Sequence, residues 1–144
     1  MAKTLLLLVS TAFIFSSCFK RIEDRLIGEW KLDAAYKKEL LGRDYFKTGY
    51  EDGVFTFFES GTATYISPQH NLSGFWRSDY WYRYNASNDD NEQLKYLEIY
   101  LADFSRNTII NWRFDNFNFR NNWNCIRAQE YWLGRDRFYE FVKP

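Results

Sequence analysis

The stretch Gly74 to Asn85, GFWRSDYWYRYN, sets the tightest limit on what this chain can fold into. Trp76, Tyr80, Tyr82 and Tyr84 fall on even positions, while Arg77, Asp79 and Arg83 fall on odd ones together with Trp81. A period of two places the even residues on one face of a β-strand. A helix would scatter the same rings around its axis, so the segment reads as a long strand with one tyrosine-rich face. Composition extends the argument to the whole chain. Phe, Tyr and Trp make up 22% of the residues, with two prolines and one methionine, and large aromatic residues favour strands.

The rest of the chain repeats the pattern in shorter units. GVFTFFESGTATYIS (53–67) is two β-rich runs around Glu59-Ser60-Gly61, which predicts a hairpin with Phe55 and Phe57 sharing a face with Ala63 and Tyr65. SNDDNEQ (87–93) is a polar loop. LKYLEIYLADF (94–104) aligns Leu97, Ile99 and Leu101, and TIINWRFDNFNF (108–119) aligns Ile110, Trp112 and Phe114. The stretch 122–143 reads as further strands turning near Ala128-Gln129. Residues 33–47, DAAYKKELLGRDYFK, read as a helix or as a loop. Seven or eight strands at hairpin spacing in one domain predict an all-β fold, an antiparallel barrel of about eight strands, with a β-sandwich as the alternative. There is no internal repeat, low-complexity segment or second domain in this pattern.

The N-terminus follows different rules. Lys3 precedes an apolar run, Leu5 to Phe15, broken only by Ser10 and Thr11. The run is shorter than the roughly 20 residues that span a bilayer. It has the form of a secretory signal, with small residues Ser16-Ser17 at its end. Cys18 follows at once, and the segment resembles the lipobox of bacterial lipoproteins, although Phe15 stands where leucine is usual. The resemblance implies cleavage after residue 17, acylation of Cys18 by palmitate-type chains, and a tether over residues 18–25. At roughly 0.8 kcal/mol per buried CH₂, two or three chains hold a protein on a membrane lastingly. Phe19, Lys20 and Arg21 follow the cysteine rather than acidic residues, which favours an outer-membrane protein facing the periplasm over surface display.

The domain proper, residues 26–144, opens with LIGEWKL (26–32). Gly28-Glu29-Trp30, the phenylalanine-rich run Phe55 to Gly61, and Gly74-Phe75-Trp76 follow in that order. This arrangement resembles the lipocalin-like domain of small bacterial lipoproteins. The resemblance implies that Trp30 plugs one end of the barrel, with Arg135 or Arg137 from the last strand as its partner.

The residues able to carry chemistry narrow the function. The chain carries 19 basic and 19 acidic residues, with the charges interspersed, so nothing draws it to nucleic acid. With Cys18 acylated, Cys125 in WNCIRA has no disulfide partner and reads as a buried thiol. The single histidine, His70, lies in the turn-like SPQHNLSG, and zinc asks for three or four His or Cys ligands. Asp89, Asp90 and Glu92 match no EF-hand spacing. The chain has neither a G-x-S-x-G nor a phosphate-cradling glycine loop. No carboxylate pair is singled out for acid–base work, so the chain reads as a non-enzyme without cofactor or metal. Its aromatics either fill the core or bind. Trp76, Tyr80, Tyr82 and Trp112 are the candidate lining of a cavity for a lipid or glycan. The rival reading is a filled barrel whose exposed rings form a protein-interaction or inhibitor surface.

Overall fold

A computed structural model of the chain describes residues 21–132 and 135–144. The signal segment 1–17 and Cys18 lie outside the described residues. A short helix, α1 (Ile22–Leu26), precedes ten strands. These are β1 (Gly28–Glu39), β2 (Gly42–Tyr45), β3 (Val54–Phe57), β4 (Thr62–Ile66) and β5 (Asn71–Asn85), then β6 (Asp90–Asp103), β7 (Thr108–Phe114), β8 (Asn116–Arg120), β9 (Cys125–Trp132) and β10 (Arg135–Val142).

All pairings are antiparallel, and the ladder runs β7-β6-β5-β4-β3-β1-β10-β9-β8, with β2 paired to β1. The fold is all-β, as the alternation requires. The ladder is not closed. Its two ends, β7 and β8, are neighbours in the chain joined by the single residue Asp115. Two corners therefore wrap the sheet around one core. At the first, β1 pairs with β3 through Gly28–Trp30 and then with β10 from Lys31 onward. At the second, the chain leaves β6 and joins β9 at Asp115, whose backbone N–H donates to the Gln129 carbonyl at 2.8 Å.

The first corner depends on a bulge. The register slips between Leu32 and Ala34, leaving Asp33 as the extra residue. An extra residue shifts the alternation by one, so Trp30, Leu32 and Ala35 all face the core despite their uneven spacing. Residues 33–47 are thus mostly strand, the second half of β1 and its hairpin partner β2, rather than a helix, and only Phe46 and Lys47 at their end enter a loop. Their Lys, Glu, Leu and Ala are good helix formers, but propensity is a small term and packing overrides it. Tyr36 is buried between Phe138 and Tyr45, at 5.4 Å from each ring. Its hydroxyl donates to Glu140 Oε1 at 3.1 Å and accepts from Arg127.

The C-terminal stretch also differs from expectation. β9 runs straight through Ala128-Gln129 to Trp132, and β10 begins at Arg135. Ala128 is fully buried and pairs with Tyr139 in β10 and Phe117 in β8, and a small side chain between two large ones keeps the strand in place.

The β3–β4 hairpin forms as the sequence predicts, with Phe55 opposite Tyr65 and Phe57 opposite Ala63, all buried. Leu97, Ile99 and Leu101 of β6 and Ile110 and Phe114 of β7 complete the core wall. Among the described residues rings crowd the interior. Trp112 lies within 5.5–6.4 Å of Tyr50, Phe55, Phe114, Tyr139 and Phe141, centroid to centroid. Such pairs contribute about 0.5–1.5 kcal/mol each beyond the area they bury.

The loop between β2 and β3 closes over this core. Phe46 packs edge-on to Tyr139 at 5.9 Å, and Tyr50 sits on Tyr65 at 5.4 Å. His70 stands half-buried against Tyr50 at 6.1 Å.

Candidate functional site

Trp30 is fully buried, and its Nε1–H donates to the Leu26 carbonyl at 2.7 Å, so α1 and the first turn of β1 hold each other. The cation over its ring is Lys143, 5.3 Å from the centroid. Neither expected arginine takes that place. Arg135 is exposed opposite Trp132, and Arg137 lies against Phe46 and Glu130. The difference follows from the register: Lys31 pairs with Val142, so the residue just past β10 beside Trp30 is Lys143, six or more residues past the arginines.

The even-numbered face of β5 divides. Trp76 is buried, its ring 5.5 Å from Phe57 and its Nε1–H bonded to the Phe58 carbonyl at 2.9 Å. Trp112 lies among the core rings. Tyr80 and Tyr82 stand 42% and 66% exposed outside the barrel. The structure does not bring the four residues around one interior cavity. The cause lies in length. β7 covers β6 only as far as Leu97, and the β5–β6 hairpin runs on beyond that point. There its odd face is the one that finds protein. Trp81 donates to the Asp115 carbonyl at 2.6 Å, Arg83 lies 4.9 Å over the Tyr131 ring, and Leu94 opposite Trp81 is buried. The residues still alternate, but which face is covered changes at Ser78.

Tyr80 instead borders an open cleft of about 450 Å³, lined by Arg21, Ile22, Arg25, Lys95, Phe119 and Trp123 among others. Periodicity could not reveal this site, because its rings come from β5, β8 and a turn. Trp123 sits on the β8–β9 turn, where Asn121, Asn122 and Trp123 all have positive φ (51°, 51° and 72°). That conformation is uncommon for Asn and strained for Trp. It leaves the indole half exposed, 5.3 Å from Phe119, with the Arg25 guanidinium 3.4 Å above it. A cation at that distance is held by the ring face. The site therefore offers three rings and three cations, Arg21, Arg25 and Lys95, to one hollow.

Other candidate chemistry is structural in its surroundings. Tyr139 donates to Glu130 Oε2 at 3.1 Å, and burial, then the Glu130 charge, pushes its hydroxyl up to about 12. Cys125 is buried, which raises its thiol above the ordinary range. Asp89 accepts from Tyr84, and Glu92 pairs with Arg83 at 2.9 Å. Among the described residues, no three His, Cys, Asp or Glu side chains gather as a metal site, and no helix is long and apolar enough to cross a membrane. Comparison with protein-family models, curated proteins and solved structures finds no match.

Proposed function

We propose that this chain is a lipid-anchored envelope protein that binds an amphipathic ligand, not inside its barrel but in the cleft beside it. Cys18 carries the anchor, the protein faces the periplasm from the outer membrane, and the domain does no covalent chemistry. The lipocalin-like order of Trp30, the β3–β4 hairpin and Trp76 supports the scaffold reading. The cleft at Tyr80, Phe119 and Trp123 carries the functional one. Its volume lies within the ordinary range for ligand sites, and rings beside cations suit a ligand with an apolar body and an anionic group. The test is native mass spectrometry of the mature protein purified from its host, followed by titration with the co-purified lipid or glycan. Tyr80→Ala should lower affinity about five-fold or more, in line with loss of one ring contact of about 1 kcal/mol. Equal affinity in the variant overturns the cleft.

One observation favours a second reading. Tyr80, Tyr82 and Tyr84 form an exposed row along the projecting hairpin, and Tyr is enriched at binding hot spots. On this reading the hairpin docks a protein partner, and a cross-linker placed at residue 82 captures that partner in the envelope. Capture that survives Tyr82→Ala and Tyr84→Ala together excludes it.

A further inference from the structure

The cleft does not stand alone. A second hollow of about 420 Å³, lined by Asp24, Arg25, Ile27, Trp123 and Lys143, shares Arg25 and Trp123 with it. The two form one face, built from α1, the β8–β9 turn and the end of β10. Lys143 is fixed there by its backbone N–H, which donates to the Asn124 carbonyl at 3.0 Å. Four cations, Arg21, Arg25, Lys95 and Lys143, line this face. Among the described residues that line the two hollows, the acidic side chain is Asp24, which accepts the Arg21 backbone N–H at 3.0 Å. Positive charge prevails.

The position of this face in the chain says what meets it. Arg21 is three residues from Cys18, a span of at most about 11 Å whatever its conformation. An acyl chain on Cys18 therefore holds Arg21, and with it the whole face, near the headgroups. We infer that the face carrying Arg21, Arg25, Trp123 and Lys143 docks on the anionic phospholipid headgroups of the membrane that holds the anchor, so that the cleft opens onto lipid. The inference rests on the anchor proposed above. Its chemistry is that of an interfacial site. An indole seats at headgroup level, and basic side chains within a Debye length each strengthen attraction to anionic lipid about five-fold. The left-handed turn at Asn121–Trp123 supplies the remaining requirement, an indole held out from the protein with Arg25 beside it.

The mature lipidated protein, reconstituted in phosphatidylcholine vesicles with and without phosphatidylglycerol, tests this directly. The reading is quenching of tryptophan fluorescence by phospholipids brominated near the headgroup. Wild-type quenching should rise about two-fold or more when anionic lipid is present, and fall again in high salt, where the Debye length is about 3 Å. Trp123→Phe should remove the increment, because Trp123 is the reporter in contact with lipid. Arg25→Gln with Lys143→Gln should also remove it while leaving Trp123 in place. Equal quenching with and without anionic lipid, or an increment that survives Trp123→Phe, overturns the docking. Mass spectrometry of the same preparation separates the two proposals. A chain without acyl groups on Cys18 overturns anchor and docking together, whereas a lipidated chain with unchanged quenching overturns the docking alone.

Discussion

Single side chains decide more here than the strand pattern alone conveys. Trp30 is the largest fully buried side chain among the described residues and bonds to the Leu26 carbonyl, so Trp30→Ala should cost about 3–5 kcal/mol and release α1 as well. Chemical denaturation measures the first effect and amide exchange at Leu26 the second. Gly74 has the opposite requirement. It pairs with Leu101, and a Cβ there would collide with the backbone at Tyr100, so Gly74→Ala should cost about 1–3 kcal/mol although it adds one methyl group. Tyr139 links burial to pH. Its hydroxyl titrates near 12 in the fold, above the ordinary tyrosine value of about 10, so the folded state holds the proton longer than the unfolded chain does. That stabilisation is complete below about pH 10 and is lost as pH rises toward 12. Tyr139→Phe has no proton to lose, and its stability should fall less steeply across that interval than wild type in denaturant titrations.

At the scale of elements, what was legible depended on whether a residue's environment is set by its own strand. The β3–β4 hairpin and the inward faces of β6 and β7 could be read directly, because each buries a period-two row against neighbours close in sequence. The continuation of β1 past Asp33 could not, since a bulge moves the buried phase by one and its residue types favour another structure. The projecting part of β5 misled for a third reason. Alternation shows that Trp76, Tyr80 and Tyr82 share a face, but not that the packed core over that face gives way to an open cleft at Tyr80. The exposed position makes a sharp expectation. Tyr80→Phe and Tyr82→Phe should each change stability by less than about 0.5 kcal/mol, because both hydroxyls are exposed and the Gln93 amide that donates to the Tyr82 hydroxyl at 3.2 Å can turn to water instead. Only Tyr80, which borders the cleft, should alter ligand affinity. The β2–β3 loop carries its own brace: Glu51 accepts the N–H groups of Thr48 at 2.7 Å and Gly49 at 3.1 Å. Burial alone would raise its pKa, but these bonds outweigh it and hold the carboxyl below the ordinary value.

For the whole molecule, the seam that matters is the one that the hydrogen-bonded ladder leaves open. β7 and β8 are consecutive in the chain but unpaired with each other, so the two halves of the sheet are held there by Asp115 and its neighbours. Its backbone N–H donates to Gln129 in β9, its carbonyl accepts from Trp81 in β5, and its carboxylate accepts the Tyr131 N–H at 2.9 Å. One residue thus joins the projecting hairpin, the corner and β9. No periodicity marks it, because all three partners are distant in sequence and two of the bonds use its backbone. The side chain still has one separable task. Asp115→Ala keeps both backbone bonds and removes only the acceptor for Tyr131, leaving a half-buried N–H unpaired. The cost should be about 1–3 kcal/mol, the penalty for an unmet donor rather than for a cavity. Asp115→Asn retains an acceptor oxygen and should recover most of the loss. Amide exchange locates the effect. Protection should fall at Tyr131 and around the β7–β8 corner in Asp115→Ala, while the β3–β4 hairpin, on the far side of the ladder, keeps wild-type rates. Uniform loss of protection across the sheet would mean that the corner is not a separate seam and that the two halves open only together.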